Sequence, residues 1–190
     1  MLPKNVETPR GLYLQQIVSA AAATDLAGWP MLNKDDYALV GGLIVLYSYI
    51  DLNLRRIIEV FNHAGLLTDP WRNKVDNLDA KDVAAAIQSL QCWDDEGRNA
   101  LKEIEELRGA RNLMAHFTIR RFPTEDAFIC IAKSARDYKR QFGRDPAIGE
   151  ILTAVVDCQQ LRDTLKHVEY VQNWLAKAAP KLEQHLSPRP

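Results

Sequence analysis

Cysteine is scarce and unpatterned in this chain. Only Cys92, Cys130 and Cys158 occur among 190 residues, an odd number at wide separation and without metal-ligand spacing, which excludes a disulfide framework and a cysteine-based zinc site. That usage fits a reducing, cytoplasmic compartment. An excess of either charge is missing too: 24 Lys and Arg against 25 Asp and Glu leave a formal charge of -1. Such a balance excludes the global basicity of a nucleic-acid coat and leaves any RNA contact to a local basic groove. The most apolar run, residues 37–50, is shorter than a membrane span and is bracketed by Asp36 and Asp51, so it reads as a buried helix and no membrane partner is expected. The first ten residues carry charges and prolines where a secretory signal has its apolar block, and the mature chain is expected to start at Met1. No repeat, low-complexity segment or dividing linker interrupts the sequence.

What is present is a core. Hydrophobic residues make up 47% of the chain, enough for one domain of this length. Helical periodicity marks four stretches. The first covers residues 10–26 and is closed by Gly28 and Pro30. The second covers 34–63 and ends before Ala64-Gly65, with an apolar stripe of Leu43, Leu46, Ile50, Leu54, Ile57 and Phe61. A second stripe on that helix, through Tyr37, Val40, Ile44, Tyr47 and Ile58, predicts two neighbours for it. Pro70 then enforces a loop, and Asp79 caps a short helix over 80–90. The third long helix starts near Asp94 and runs to about Phe117. β-Branched and aromatic residues at 117–122 and 127–133, separated by Pro123-Thr124-Glu125-Asp126, predict a β-hairpin. Residues 137–147, with Gly143 and Pro146, read as a loop. Residues 151–156 are either a third strand or the opening of the last helix, which Asp157 caps and which extends to about Ala178. The fold class expected is mainly all-α: an antiparallel helical bundle with a small β-hairpin insertion after the third long helix. In one domain overall, residues 1–33 give an N-terminal helix and connection, 34–180 the bundle, and 181–190 a flexible tail.

The chemistry-bearing residues concentrate near the end of the third long helix, in Arg111-Asn112-Leu113-Met114-Ala115-His116. Arginine offers a planar fork of donors to a phosphate, and histidine is the side chain suited to proton transfer near neutrality. At 100 degrees per residue Arg111 and Ala115 fall within about 20 degrees of Ile104, and Arg108 about 40 degrees away, so arginines interrupt an apolar face. Asn112 and His116 sit one turn apart beside it. On the second helix Ser48, Asp51 and Arg55 interrupt an apolar stripe, and a buried Asp51 needs a cation, for which Arg111, Arg108 and Arg55 are the candidates. A plain core ion pair is the alternative role for Asp51. Arginine and histidine near a helix C-terminus also serve as caps that favour the macrodipole. His63, His167 and His185 read as solvated or capping, and the four tryptophans as core packing. Arg120, Arg121, Lys133, Arg136, Lys139 and Arg140 form a basic cluster that either guides RNA or is a solvated, charge-protected edge.

The Arg111 to His116 segment matches an arginine, four residues, histidine pattern with a polar residue after the arginine. Together with the polar-spiked helix Tyr47-Ser48-Tyr49-Ile50-Asp51-Leu52-Asn53-Leu54-Arg55-Arg56, it resembles the HEPN domains, nucleotide-binding helical bundles of higher eukaryotes and prokaryotes. The resemblance covers residues 34–178. It implies a homodimer through the motif and central helices, with two motif helices facing one another in a composite cleft, and a metal-independent endoribonuclease that needs no cofactor. It also implies RNA as partner, with an antitoxin or regulatory protein where the member is a toxin or defence effector. Other members lack catalysis and act as RNA, nucleotide or protein-binding modules. Under the resemblance Arg111 and His116 are catalytic, while Asn112, Arg108, Asp51, Ser48 and Arg55 support them or bind RNA. Asn112 either orients His116 or holds a phosphate oxygen. Toxins silenced by adenylylation often carry tyrosine two positions after the histidine, where this chain has Thr118; silencing at that position is not expected.

Overall fold

A computed structural model of the chain describes residues 8–21, 23–26, 28–132, 135–142, 144–148 and 151–186, without the side chains of residues 23, 24, 76, 80, 137 and 140–142. It is mainly helical with one small antiparallel sheet. In chain order the elements are α1 (Pro9–Ala20), α2 (Ala23–Leu26), α3 (Lys34–His63), a 3-10 turn at Arg72–Asn77, α4 (Ala80–Gln88) and α5 (Asp95–His116). Then follow β1 (Thr118–Arg121), β2 (Ala127–Ile131), α6 (Ala135–Phe142), β3 (Thr153–Asp157) and α7 (Cys158–Leu186). The chain packs as two compact units, one of Met1–Ile44 with Leu107–Lys166 and one of Val45–Glu106 with His167–Pro190.

Short polar side chains set the helix starts, each accepting a bond from a first-turn amide that has no intrahelical partner. Thr8 Oγ1 accepts from the Gly11 amide at 3.0 Å, Asp79 from Asp82 at 2.8 Å, Asp94 from Gly97 at 2.8 Å and Asp157 from Gln160 at 2.9 Å. At α3 the cap is reciprocal: the Asn33 amide donates to the Asp36 carboxylate at 2.9 Å and the Asp36 amide donates to Asn33 Oδ1 at 3.0 Å. At the other end of α3, Gly65 takes a φ of 69°. The Leu66 amide can then close on the Phe61 carbonyl at 2.9 Å, a helix stop that disfavours a side chain bearing Cβ at that position.

In the first unit the strands lie in the order β1-β2-β3, all antiparallel. Residues 151–156 thus contribute a strand, and the expected hairpin becomes a three-stranded sheet. Its middle strand is buried on both faces, since Ala127, Phe128, Ile129 and Cys130 are all inaccessible. Leu14 and Leu26, from α1 and α2, cover one face with Phe122, Ala127 and Ile129, and Trp29 packs on Phe122 with ring centroids 4.7 Å apart.

The hairpin turn is tied down by ions. Arg10 reaches Glu125 at 2.7 Å and Asp157 at 3.0 Å, Tyr13 donates to Glu125 at 3.0 Å, and Arg121 pairs with buried Asp36 and, at 2.7 Å, with Asp126. Arg162 meets Asp126 at 2.9 Å. Hydrogen bonds from Arg10 and then Tyr13 hold the Glu125 carboxyl below its usual range; those from Arg162 and Arg121 do the same for Asp126. Depressed carboxyl pKa values stabilise the fold fully above their unfolded values and lose that contribution as pH falls through the folded ones. Urea midpoints are therefore expected to stay level from neutrality to about pH 5 and to fall below about pH 4. Asp126→Asn should flatten part of the acid limb, and an unchanged limb in that variant would show that the network does not set acid stability.

In the second unit Tyr47 is inaccessible, and its hydroxyl donates to the Ile104 carbonyl at 2.9 Å. Trp93 donates to the Ile87 carbonyl at 2.8 Å and faces Trp174 with centroids 6.0 Å apart. Gly97 lies against that pair, where a Cβ would come within 3.0 Å of the Trp93 ring.

Several expectations change. The first helix breaks at Ala21, which is extended (φ -82°, ψ 138°), so residues 10–26 form two helices. The loop read at 137–147 is helical as far as Phe142, because Ala135, Arg136, Lys139, Arg140 and Gln141 are good helix formers and Tyr138 is buried; Gly143 lies outside the described residues. The last helix runs through Pro180 to Leu186, past the tail read as starting there. A proline removes one backbone donor, but the buried Val171, Leu175 and Ala179 anchor the turns that lead up to it. Residues 187–190 of that tail, and residues 1–7 at the other end, lie outside the described residues. On α3 most residues of both expected stripes are buried. Leu43, Ile50, Leu54, Ile57 and Phe61 of the first stripe and Val40, Tyr47 and Ile58 of the second are buried, whereas Tyr37, Val45, Tyr49 and Leu52 are exposed. By length and composition α3 could cross a membrane, with a mean hydropathy of 1.4 over 18 residues; a core helix meets the same criterion.

Candidate phosphate-binding site on α5

The first unit contains Arg108, Arg111, Asn112 and His116; Ser48, Asp51 and Arg55 belong to the second. Along the last two turns of α5 the fully buried residues are Leu113 and Met114, whose side of the helix lies away from the line of Ile104. Arg108, Arg111 and Ala115, on the Ile104 line, are half-buried. Amphipathic packing thus leaves the arginines partly covered without giving them the core. His116 is the last helical residue and is exposed.

Arg111 and Asn112 are brought together. Arg111 Nη1 donates to Asn112 Oδ1 at 3.2 Å, which uses one lone pair of the amide oxygen and leaves the Asn112 NH2 group as a donor. Arg111 Nε is shielded from solvent and has no hydrogen-bond partner among the described residues. Nor does Arg111 form an ion pair among them. A buried, unpartnered donor costs about 1–3 kcal/mol, and a guanidinium cannot escape the cost by losing its proton. An anion with two or three acceptor oxygens would relieve it, and a phosphate fits a planar fork of donors.

On α3, Asp51 is half-buried and Ser48 exposed. Arg55 donates to the Leu78 carbonyl at 2.9 Å, which ties α3 to the approach of α4 and gives this arginine a structural task. Of the basic cluster, Arg121 is held by Asp36 and Asp126, and Lys139 by Asp145 at 3.1 Å. Arg121 is thus a partly buried, acid-paired group, whereas Lys139 and its partner stay exposed. Arg120 contacts the Met31 sulfur, and its Nε is a second buried donor without a partner among the described residues. Lys133 and the Arg140 side chain lie outside the described residues.

Among the polar pairs that sequence reasoning missed, His167 Nε2 lies 2.8 Å from Glu103 Oε2, with both side chains nearly half exposed. The two are 64 positions apart, and neither had a sequence signal beyond its place on a long helix. Exposed pairs of this kind contribute at most about 1 kcal/mol. The cysteines are poor nucleophiles: burial pushes the Cys130 and Cys158 thiols up to about 12, so both stay protonated at neutral pH. Among the described residues no three or more His, Cys, Asp and Glu gather as a metal site.

Comparison with protein-family models, curated proteins and solved structures finds no match to this chain.

Proposed function

We propose that the chain is a HEPN-like, dimeric endoribonuclease of metal-independent type, acting as a defence or toxin effector in the cytoplasm, with Arg111 and His116 as its catalytic residues. The observation that carries this reading is the half-buried Arg111 guanidinium, whose Nε has no acceptor within the described chain and which lies within two turns of an exposed imidazole. The reaction is attack of an RNA 2'-oxygen on the adjacent phosphorus. The bond from phosphorus to the 5'-oxygen breaks, a base takes the 2'-hydroxyl proton, and an acid protonates the leaving 5'-oxygen. His116 supplies one proton transfer and the second copy's equivalent group the other. Arg111 meets the charge that develops on the phosphoryl oxygens. Asn112 positions Arg111 through its 3.2 Å bond, and Arg108 extends the phosphate contact.

A second reading, a module that binds RNA or nucleotide without cleaving it, is favoured by one observation. His116 has no hydrogen bond or ion pair among the described residues. An imidazole with nothing to fix its tautomer is a weaker catalyst.

Incubation of the purified protein with RNA in excess chelator separates the two. The nuclease reading expects cleavage that His116→Ala and Arg111→Ala each abolish. Salt-sensitive, saturable binding with no product, lost in Arg111→Ala but kept in His116→Ala, selects the second reading. Cleavage that survives both substitutions rejects this site altogether.

A further inference from the structure

Three arginines that bear on the β1-β2 hairpin are matched to carboxylates. Arg10 meets Glu125 and Asp157, Arg121 meets Asp36 and Asp126, and Arg162 meets Asp126. Arg120, in the middle of them, forms no ion pair among the described residues. Its Nε is shielded from solvent without an acceptor among them, and its Nη1 rests on the Met31 sulfur, a weak acceptor. A guanidinium keeps its charge at any pH the fold tolerates, so a standing positive charge is held beside a thioether. Met31 is 62% exposed, unbranched and adaptable, a cover that an incoming anion can displace.

The topology sets this cation near His116. β1 begins two residues after His116, and Arg120 lies four residues beyond it, a separation of at most about 14 Å. Alternation along the strand puts Thr118 and Arg120 on one face of the sheet. The register aligns Thr118 with Ile131 and Ile131 with Thr153, a row across all three strands. Thr118 is exposed, and Ile131 and Thr153 are half-buried. Further along the same face, Ile129, Ala127 and Phe122 are covered by Leu14 and Leu26. The more open end of the face is therefore the end next to His116, with Arg120 at the border of the cover. Every residue of this arrangement belongs to the first unit.

We propose that Arg120 is a second phosphate-binding residue, which takes the phosphate next to the scissile one. The ligand is then a strand with at least two successive phosphates, and a mononucleotide is discriminated against. Charge complementarity selects that occupant. The row of Thr118, Ile131 and Thr153 and the row of Arg120, Ile129 and Val155 contain no acidic residue, so nothing in them repels a polyanion. The two threonine hydroxyls add donors for phosphate or sugar oxygens, and a planar fork already short of an acceptor matches a phosphate. The inference rests on the RNA reading of Arg111 and His116 and extends it from one phosphate to two.

The test uses the full chain, a non-cleavable 2'-O-methyl RNA oligonucleotide and uridine 3'-monophosphate, with affinities read by fluorescence anisotropy and competition across a salt series. Wild type is expected to bind the oligonucleotide about tenfold more tightly than the mononucleotide, or better, the worth of one more bond to a charged group. Arg120→Gln should weaken the oligonucleotide about tenfold and reduce the slope of log affinity on log salt by about 0.7, one phosphate contact of a single strand. Mononucleotide affinity should stay at its wild-type value. Arg120→Lys keeps the charge and loses the fork, so it should keep the slope and recover part of the affinity. Met31→Glu gives Arg120 an acid of its own and should reproduce the loss seen in Arg120→Gln. Thermal midpoints of the same preparations show that each variant is folded. An Arg120→Gln chain with wild-type affinity and slope overturns the proposal, as does an equal loss for both ligands or a folded wild type that binds no oligonucleotide. Cleavage of the unmodified oligonucleotide keeps the two ideas apart. Binding that depends on Arg120 without cleavage removes the nuclease and keeps the second phosphate contact, whereas cleavage indifferent to Arg120→Gln and Met31→Glu removes the contact and keeps the nuclease.

Discussion

Asp36→Ala is expected to cost about 3–4 kcal/mol, a fall in thermal midpoint of roughly 10 °C for a chain of this length. Two interactions disappear together. Asp36 is 4% exposed, accepts from the Asn33 amide at the start of α3 and pairs with Arg121 on β1. Losing the capping acceptor alone costs about 1 kcal/mol. Removing one partner of a buried ion pair costs about 3–5 kcal/mol when the other is stranded. The lower end applies, because the Arg121 side chain is 25% exposed and keeps Asp126. Asp36→Asn preserves the oxygen that caps the helix and removes only the charge, so it should fall between wild type and Asp36→Ala. Urea unfolding of both variants checks the order. A loss under about 1 kcal/mol in Asp36→Ala would mean that Asp126 alone satisfies Arg121.

The same residue shows what the sequence could and could not disclose. Caps at Asp79 and Asp157 were legible, because a short polar side chain before an apolar period has a local physical cause. α3, the two hairpin strands and the extent of α5 followed from periodicity and β-branching in the same way. The pairing of Asp36 with Arg121 spans 85 positions and has no period; it is fixed only when β1 lies beside the start of α3. α6 was missed because its formers carry charge and offer little apolar stripe, with Tyr138 the buried residue of its described side chains. The break at Ala21 was missed because alanine is the best helix former and gives no sign of an extended backbone. At the candidate site, Arg111 and His116 stood out by residue type and spacing. That Asn112 serves Arg111, and that Arg111 Nε lacks an acceptor among the described residues, are matters of side-chain direction which spacing along a helix does not encode. The exposed side of α3 was hidden for a related reason: Val45, Tyr49 and Leu52 lie on neither of the two stripes that the helical period marks, and only the fold shows them exposed.

Arg111→Leu should separate function from stability in opposite directions. As a purely structural residue, a half-buried arginine bonded to Asn112 would leave a void and a lost bond, and its replacement would destabilise. Its Nε, however, is buried without a partner among the described residues, and an orphaned donor costs about 1–3 kcal/mol. Leucine removes the orphan and the unpaired charge and keeps apolar bulk beside Ala115, while the lost Asn112 bond is worth about 0.5–1.5 kcal/mol. The expected balance is a gain of about 1 kcal/mol, or a thermal midpoint roughly 2–4 °C higher. RNA turnover in the same variant should fall on the order of 100-fold or more, the scale on which a single donor to a transition-state oxyanion acts. Arg111→Lys refines the result, because it retains the charge and loses the planar fork, so turnover should remain well below wild type. Calorimetry and an RNA cleavage assay on one preparation of each variant provide both readouts. A variant that is less stable yet fully active would make Arg111 a packing residue. One that is more stable and inactive would mark a cation held in the free protein for an anion it has yet to bind, the trade of stability for function found at binding sites.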